Sequence, residues 1–361
     1  MKIVFYVGIS WQRWDPSTVA INGSGGSEIA VIELSKLFVK ANHEVIVYGD
    51  LDNEGIHDGV SWKHYSKFKN IECDILISSR VPNTVNPENN IKYKLAYLWM
   101  HDANLGNWLN DDQINRFKSI IALTKWHKGH LLDFYKMDPD KIRIINNGID
   151  PKRYKNKSIT RNPHKAIYCS SPTRGLDLAC NLWQYVRKEI PDAELHVYYG
   201  FDVVDIAAKN KPDELLRIKQ IKQLITETPG VILHGRLNQE QLANEQLSAG
   251  VLAYPTFFYE TSCISAMEAK AAGVRIVTTA LGALNETVGE HGVLLTEPYA
   301  SKEYNVRFIK SVCYMMTLAD QEDRKILSDY ALKNLTWKKR SVQWLKMIKD
   351  DLDLMCETID I

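Results

Sequence analysis

The segment PTFFYETSCISAMEAKAAG, residues 255–273, decides how the chain reads. It carries two carboxylates, Glu260 and Glu268, eight positions apart. The apolar run Val251 to Tyr254 before it, bounded by Gly250 and Pro255, has the composition of a short buried strand. Thr261 and Ser262 are suited to cap a helix, strong helix formers fill positions 263–272, and Gly273 is a natural stop. The pattern predicts a strand, then a loop carrying Glu260, then a helix with Glu268 about two turns in.

That layout has a chemical meaning. A helix start offers free backbone N–H groups and the positive end of a dipole, which suit an anion such as phosphate. A carboxylate accepts hydrogen bonds from sugar or ribose hydroxyls. Two carboxylates flanking an anion site therefore suit a sugar nucleotide, one holding the transferred sugar and the other the ribose. A helix-start Glu and a solvated mid-helix Glu are the alternative that spacing alone leaves open.

The segment resembles the E-x7-E signature of retaining glycosyltransferases with the GT-B fold. This is the glycogen-synthase-like family (glycosyltransferase family 4, group 1 type), and EAKAAG is similar to its usual EAxAxG. The resemblance implies an α/β protein of GT-B architecture: two Rossmann-like doubly wound domains facing a central cleft, with a C-terminal helix crossing back to the first. It implies a donor that is a UDP-, GDP- or ADP-sugar, and Thr261, Ser262 and the amides of Cys263 and Ile264 on its phosphates.

Composition agrees with an enzyme of this kind. A length of 361 residues suits two domains, and 45% hydrophobic with 25% charged residues is ordinary for a globular protein. A net charge of +1 argues against a general nucleic-acid binder. The six cysteines (73, 169, 180, 263, 313 and 356) are scattered without C-x-x-C, as expected in a reducing compartment. With no signal-peptide pattern and no long apolar run, the expectation is a soluble, cytoplasmic protein.

In the first half, positions 3–7 read as a buried parallel strand, followed by a long polar loop to Gly26 carrying Trp11, Arg13, Trp14 and Asp15. GSGGSE (residues 23–28) opens an amphipathic helix to about Ala41, and a strand follows over 44–48. A dinucleotide fingerprint needs its glycines directly after the first strand; here they come late, and Glu28 takes the third glycine's slot, so NAD binding is disfavoured. Gly25 and Gly26 instead let backbone approach a diphosphate, and Gly25-Gly26-Ser27-Glu28 is similar to the family's Gly-Gly-x-Glu loop. A flexible loop and a capped helix are the competing reading.

Apolar runs at 74–78, 95–99 and 120–124 suggest a parallel sheet. His101, just past the end of the 95–99 run, lies where open α/β sheets bind ligands, and it resembles the family's active-site His near the transferred sugar. The segment KWHKGHLLDFYK (125–136) reads as a basic amphipathic helix whose Trp126 and Leu131 are buried. Contact with a membrane surface or acidic acceptor is its other reading.

NNGIDP (146–151) is a dense turn cluster, followed by a basic run to Lys165, and marks the boundary between domains 1–150 and 151–335. Strands at 166–169, 194–199, 231–234, 251–254 and 275–279 alternate with helices, as in a second doubly wound domain. Arg174, on the loop after its first strand, is placed to clamp a diphosphate and stabilise the departing nucleotide. The family usually has an Arg and then a Lys there, so the Arg174 clamp lacks a partner. Gly235 and Arg236 match the position where backbone borders the base. Residues 336–361 form the last helix, with Trp337 and Trp344 seven apart as a packing stripe.

The reading is therefore a retaining hexosyltransferase with His101, Glu260 and Arg174 in catalytic roles and no metal. Asp111-Asp112, on a polar loop, and Asp350-Asp351, in the last helix, form no D-x-D. Neither Glu260 nor Glu268 is read as a glycosidase-type acid, which would need two carboxylates straddling one bond. Donor contacts fall to Gly25, Gly26, Arg174, Gly235, Arg236, Glu260 through Ile264, and Glu268. Acceptor contacts, to a glycan, lipid or small molecule, fall to Trp11, Arg13, Trp14, Asp15 and Trp108, whose aromatic faces can stack on a saccharide. A sugar-nucleotide epimerase of the same architecture and a non-catalytic nucleotide-sugar binder are the alternatives.

Overall fold

The computed structural model describes residues 1–156, 158–319 and 321–359, with 357–359 as helix backbone only. Lys157 of the basic run and residues 360 and 361 of the terminal segment lie outside the described residues. The chain divides into two compact units. The first comprises Met1–Val19, Ser24–Gly148 and Thr336–Ile361; the second comprises Ala20–Gly23 and Ile149–Leu335.

The chain up to residue 148 runs β1 (Lys2–Gly8), α1 (Pro16–Asn22), α2 (Gly26–Lys40), β2 (Glu44–Gly49), β3 (Gly55–His57), β4 (Val60–His64), β5 (Glu72–Ser79), β6 (Lys92–Trp99), α3 (Asp111–Arg116), β7 (Ser119–Ala122), α4 (Lys125–Tyr135) and β8 (Ile142–Ile144). The strands form one sheet in the order β3-β4-β2-β1-β5-β6-β7-β8. All neighbours are parallel except the β3–β4 hairpin. Parallel strands covered on both faces need continuous apolar runs. In β1, Ile3 and Phe5 enter one core with Leu34 and Phe38 of α2, while Val4 enters the other with Leu76, Leu98 and Leu131. The chain leaves β1 toward β2 on one side and returns to β5 on the other. The topological switch, where such sheets bind ligands, therefore lies between β1 and β5.

Two local expectations change. The polar loop after β1 contains α1, because Asp15 accepts from the amides of Ser17 and Thr18 and Pro16 occupies the first helical position. Asp111 and Asp112 lie in the first turn of α3 rather than on a loop. Asn110 and Gln113 form a reciprocal cap there, and the two carboxylates face the positive helix end.

The second unit runs β9 (Asn162–Tyr168), α5 (Leu176–Glu189), β10 (Glu194–Val197), α6 (Asp202–Ala208), α7 (Pro212–Glu227), β11 (Val231–Leu233), α8 (Gln239–Ser248), β12 (Ala249–Tyr254), α9 (Ile264–Ala271), β13 (Arg275–Thr279), α10 (Leu284–Val288), β14 (Val293–Leu295), α11 (Lys302–Thr317) and α12 (Glu322–Asn334). Its sheet is wholly parallel, in the order β11-β10-β9-β12-β13-β14. Its switch lies between β9 and β12. Ile167, Trp183, Leu252, Ile276 and Phe308 sit in its single core.

The last helix, α13 (Trp337–Ile359), belongs to the first unit. Trp337, Trp344 and Ile348 are buried in the core that α2 covers, and Trp344 meets Tyr97 and Trp99 edge-on. Asp351, buried in the same helix, accepts from the Tyr97 hydroxyl at 2.7 Å and from both Nη atoms of Arg143 at 2.8 and 2.7 Å. Among the described residues no helix is long and apolar enough to cross a membrane.

Candidate active site

In the second unit the loops leaving β9 and β12 meet at the switch. Arg174, from the first loop, donates through Nη1 to Glu260 Oε1 at 2.9 Å. The same oxygen accepts from the Tyr254 hydroxyl at 2.6 Å, and Tyr254 in turn accepts from Ser170 at 3.1 Å. The Arg174 guanidinium lies 3.7 Å over the Phe258 ring. Burial alone would weaken Arg174's hold on its proton; the Glu260 charge outweighs that and raises its pKa. Glu260 is only 8% exposed, so its charge is a paired one.

Two glycines fix this meeting. Gly175 has φ +116°, and a Cβ there would fall inside the Pro255 carbonyl oxygen, so only glycine lets the Arg174 loop lie on the turn after β12. Gly282 has φ +58°, and a Cβ would come within 2.8 Å of the Glu260 carbonyl. That carbonyl accepts from the Ala283 amide at 2.8 Å.

The helix after Glu260 starts one step later than its composition predicts. Cys263 takes the cap position in a left-handed conformation (φ 51°), its side chain making no cap bond, and α9 begins at Ile264. Thr261 and Ser262 precede the cap instead of forming it. The first amides of α9 have no carbonyl within the helix. Ser262 is buried, its carbonyl accepts from Thr287 at 2.6 Å, and its hydroxyl has no partner among the described residues. A buried hydroxyl without a partner is uncommon and calls for an explanation.

Glu260 and Glu268 do not share a partner. The Glu268 carboxylate receives Gln246 Nε2 at 3.3 Å, and Gln246 accepts from the Tyr154 hydroxyl at 3.0 Å. Burial raises the Glu268 pKa, against smaller lowering effects of Arg153 and Gln246. Gly235 (φ 76°) has open space about it, and the Arg236 guanidinium lies 4.8 Å over Tyr199. Arg217 of α7 was not legible in the sequence. It donates to the Thr173 carbonyl at 3.2 Å, lies 5.1 Å over Phe257, and so braces the Arg174 loop from a helix some forty residues on.

In the first unit, Gly25 caps α2 and Gly26 begins it; Glu28 folds back over Gly25, and Ser27 donates to Glu28 at 3.0 Å. His101 packs against Trp99 with ring centroids 4.5 Å apart and the rings tilted by 51°. Burial, then the charge of Arg80, holds it well below the usual imidazole pKa and therefore neutral. Arg80 was also missed: its Nε and Nη2 grip both oxygens of Asp102 at 2.6 and 3.0 Å, and its Nη1 reaches the Ser27 hydroxyl at 3.3 Å.

The acceptor set divides. Trp11 and Trp108 are 65% and 77% exposed, and Arg13 is exposed beside Asp50 at 3.3 Å. Trp14 and Asp15 are spent on the fold. Trp14 packs edge-on to Trp62 at 5.7 Å, and the wholly buried Asp15 carboxylate is occupied by Ser17, Thr18 and Asn53, leaving neither a surface for a ligand. On α4, Leu131 is buried as expected, whereas Trp126 is half-buried and stacks on His130. Among the described residues no three His, Cys, Asp or Glu side chains converge as a metal site.

Residues 166–310 match the profile of the family described as "Glycosyl transferases group 1". A search of curated protein sequences finds no match. Among solved structures, sucrose-phosphate synthase from Thermosynechococcus elongatus is 13% identical, with 98% of this chain and 100% of that one covered at a TM-score of 0.72. Anabaena HepE in complex with UDP and glucose is 15% identical, covering 97% and 100% at 0.70. WaaG, a glycosyltransferase of lipopolysaccharide biosynthesis, is 13% identical, covering 94% and 99% at 0.66. At such identities the likeness speaks for the fold. Residues 166–310 are a group 1 glycosyltransferase domain, carried on a chain with the GT-B fold.

Proposed function

We propose that the protein is a retaining, metal-independent hexosyltransferase that moves a sugar from a nucleotide diphosphate sugar to a hydroxyl of a glycan, lipid or small molecule. The observation that carries this reading is the junction of β9 and β12. There an arginine, a buried carboxylate and an open helix start with an orphaned hydroxyl come together at the switch of a parallel sheet.

Each group has a task in that reaction. The C–O bond between the sugar and the diphosphate breaks, a C–O bond to the acceptor forms, and negative charge gathers on the departing nucleoside diphosphate. Arg174 and the amides of Cys263 and Ile264, with Thr261 and Ser262, meet that charge; a preorganised donor of this kind is worth about 10²–10³ in rate. Glu260 orients hydroxyls of the transferred sugar, Glu268 those of the ribose, and Gly235 with Arg236 borders the base. Within the first unit, Gly25 and Gly26 offer backbone suited to a diphosphate, and the neutral His101 is suited to a sugar hydroxyl. Trp11, Arg13 and Trp108 serve the acceptor. The HepE structures with UDP and with UDP-glucose favour a UDP-sugar over the GDP and ADP forms.

Thermal shift and calorimetry with UDP-, GDP- and ADP-glucose test the donor. A true donor at a hundred times its Kd stabilises by about 2.7 kcal/mol. With that donor, Glu260→Gln is expected to lose about 100-fold or more in nucleotide release while still folding. Near-normal turnover in Glu260→Gln would overturn the site, and NMR of an inverted anomeric product would overturn retention.

A further inference from the structure

The Gly25–Ser27 loop follows β1 in the chain, and the His101–Asp102 turn follows β6. These strands are not neighbours, because β5 lies between them. Arg80 is the first residue past the end of β5. Its amide donates to the Trp99 carbonyl, the last residue of β6, at 3.0 Å. From there its guanidinium reaches both ways. Two nitrogens hold Asp102 as a fork, and the third reaches Ser27, fifty-three positions away. Ser27 passes the contact to Glu28, whose carboxylate lies over Gly25. Arg80 does this from a left-handed backbone (φ 69°), a conformation that costs a side-chain-bearing residue energy and persists only where its surroundings hold it. It stands at the switch of the first sheet, where the second sheet carries Arg174.

We propose that Arg80 is a positioning residue: its guanidinium ties the Gly25–Ser27 loop and the His101–Asp102 turn into one rigid edge, so that both present themselves to the donor together. This rests on the donor reading above. All three guanidinium nitrogens are taken by Asp102 and Ser27, which fits a brace better than a phosphate ligand. The fork demands arginine: a lysine keeps the charge but offers no planar, two-point grip. Arg80 also keeps protons off the buried His101 by its nearby charge, a smaller effect than burial itself. Arg80→Gln and Arg80→Lys therefore separate the two effects.

The assay follows nucleotide release, with water as acceptor, from whichever of UDP-, GDP- and ADP-glucose binds tightest. Both Arg80→Gln and Arg80→Lys are expected to lower kcat about 100-fold, the cost of a reactant about 1 Å out of place. Donor Kd by calorimetry should stay within about threefold, because the second unit holds the ground state. Only Arg80→Gln should raise the His101 titration midpoint in an NMR pH series. In kcat, Asp102→Asn should match Arg80→Gln, with the double variant no worse than either. A kcat in Arg80→Gln within about threefold of wild type, additive losses in the double variant, or a joint fall of kcat, affinity and melting temperature would overturn the role. A wild type that binds none of the three donors would end the donor reading as well, whereas the preceding outcomes leave it standing.

Discussion

Each unit places an arginine–carboxylate pair at the C-terminal edge of its sheet, and the two pairs are built differently. In the second unit Arg174 and Glu260 lie on loops after β9 and β12, the strands that define the switch; the Glu260 side chain is only 11% exposed and takes Tyr254 as a second donor, while a third of the Arg174 side chain is exposed beside Phe258. In the first unit Arg80 and Asp102 lie after β5 and β6, on one side of the switch, with 36% and 41% of their side chains exposed. Arg80 reaches across the switch through its contact with Ser27. The two arginines are about equally exposed, so the carboxylate makes the difference: buried Glu260 needs its partner for its unit's stability, whereas exposed Asp102 can turn to water and its pair fixes geometry with little effect on folding.

Denaturant unfolding tests that contrast most directly. Arg174→Met leaves Glu260 buried with only Tyr254, and is expected to destabilise by about 3–5 kcal/mol. Arg80→Met should stay within about 1 kcal/mol of wild type. Equal losses would erase the distinction.

The units also differ in how they bury ionisable groups. The second unit buries Lys270 in α9, where desolvation pulls its pKa down to about 8. Between pH 8 and 10.5 the unfolded chain then binds a proton that the native state has released, so stability rises with pH across that window. Lys270→Met should remove the rise and stabilise the protein at pH 7 by up to about 3 kcal/mol. An unchanged pH profile would show that Lys270 has found a compensating partner. The first unit buries His127, whose pKa burial pulls down to about 4. Here the unfolded chain takes up the proton first as pH falls below 6.5, so stability drops from pH 6.5 toward 4. His127→Gln should lessen the loss at pH 5 by about 2 kcal/mol. His101, buried neutral in the same unit, adds acid sensitivity of the same kind, as do His43, His196 and His234, whose pKa burial also lowers.

The same contrast explains what was legible in the sequence. Glu260, Arg174 and the strand before Glu260 announce themselves because the second unit's site comes from compact segments with turn and cap signals. Tyr254, which donates to Glu260, was hidden inside that strand, where a tyrosine reads as one more apolar residue. Arg80 carries no motif at all; its partners lie 22 and 53 positions away and meet only because β5 inserts between β1 and β6. The hairpin strands β3 and β4 are too short and too exposed at β3 to show a period. Helix α1 was readable after all: Asp15-Pro16 is a cap followed by a proline, and composition drew Asp15 toward the acceptor instead.

Helix α13 lends Trp337, Trp344, Met347 and Ile348 to a core whose other buried members precede residue 149. During synthesis, every residue of the second unit thus leaves the ribosome before the first unit has its last helix. The later-encoded half can finish folding first, while the earlier one waits with Tyr97, Trp99 and Arg143 lacking their partners on that helix.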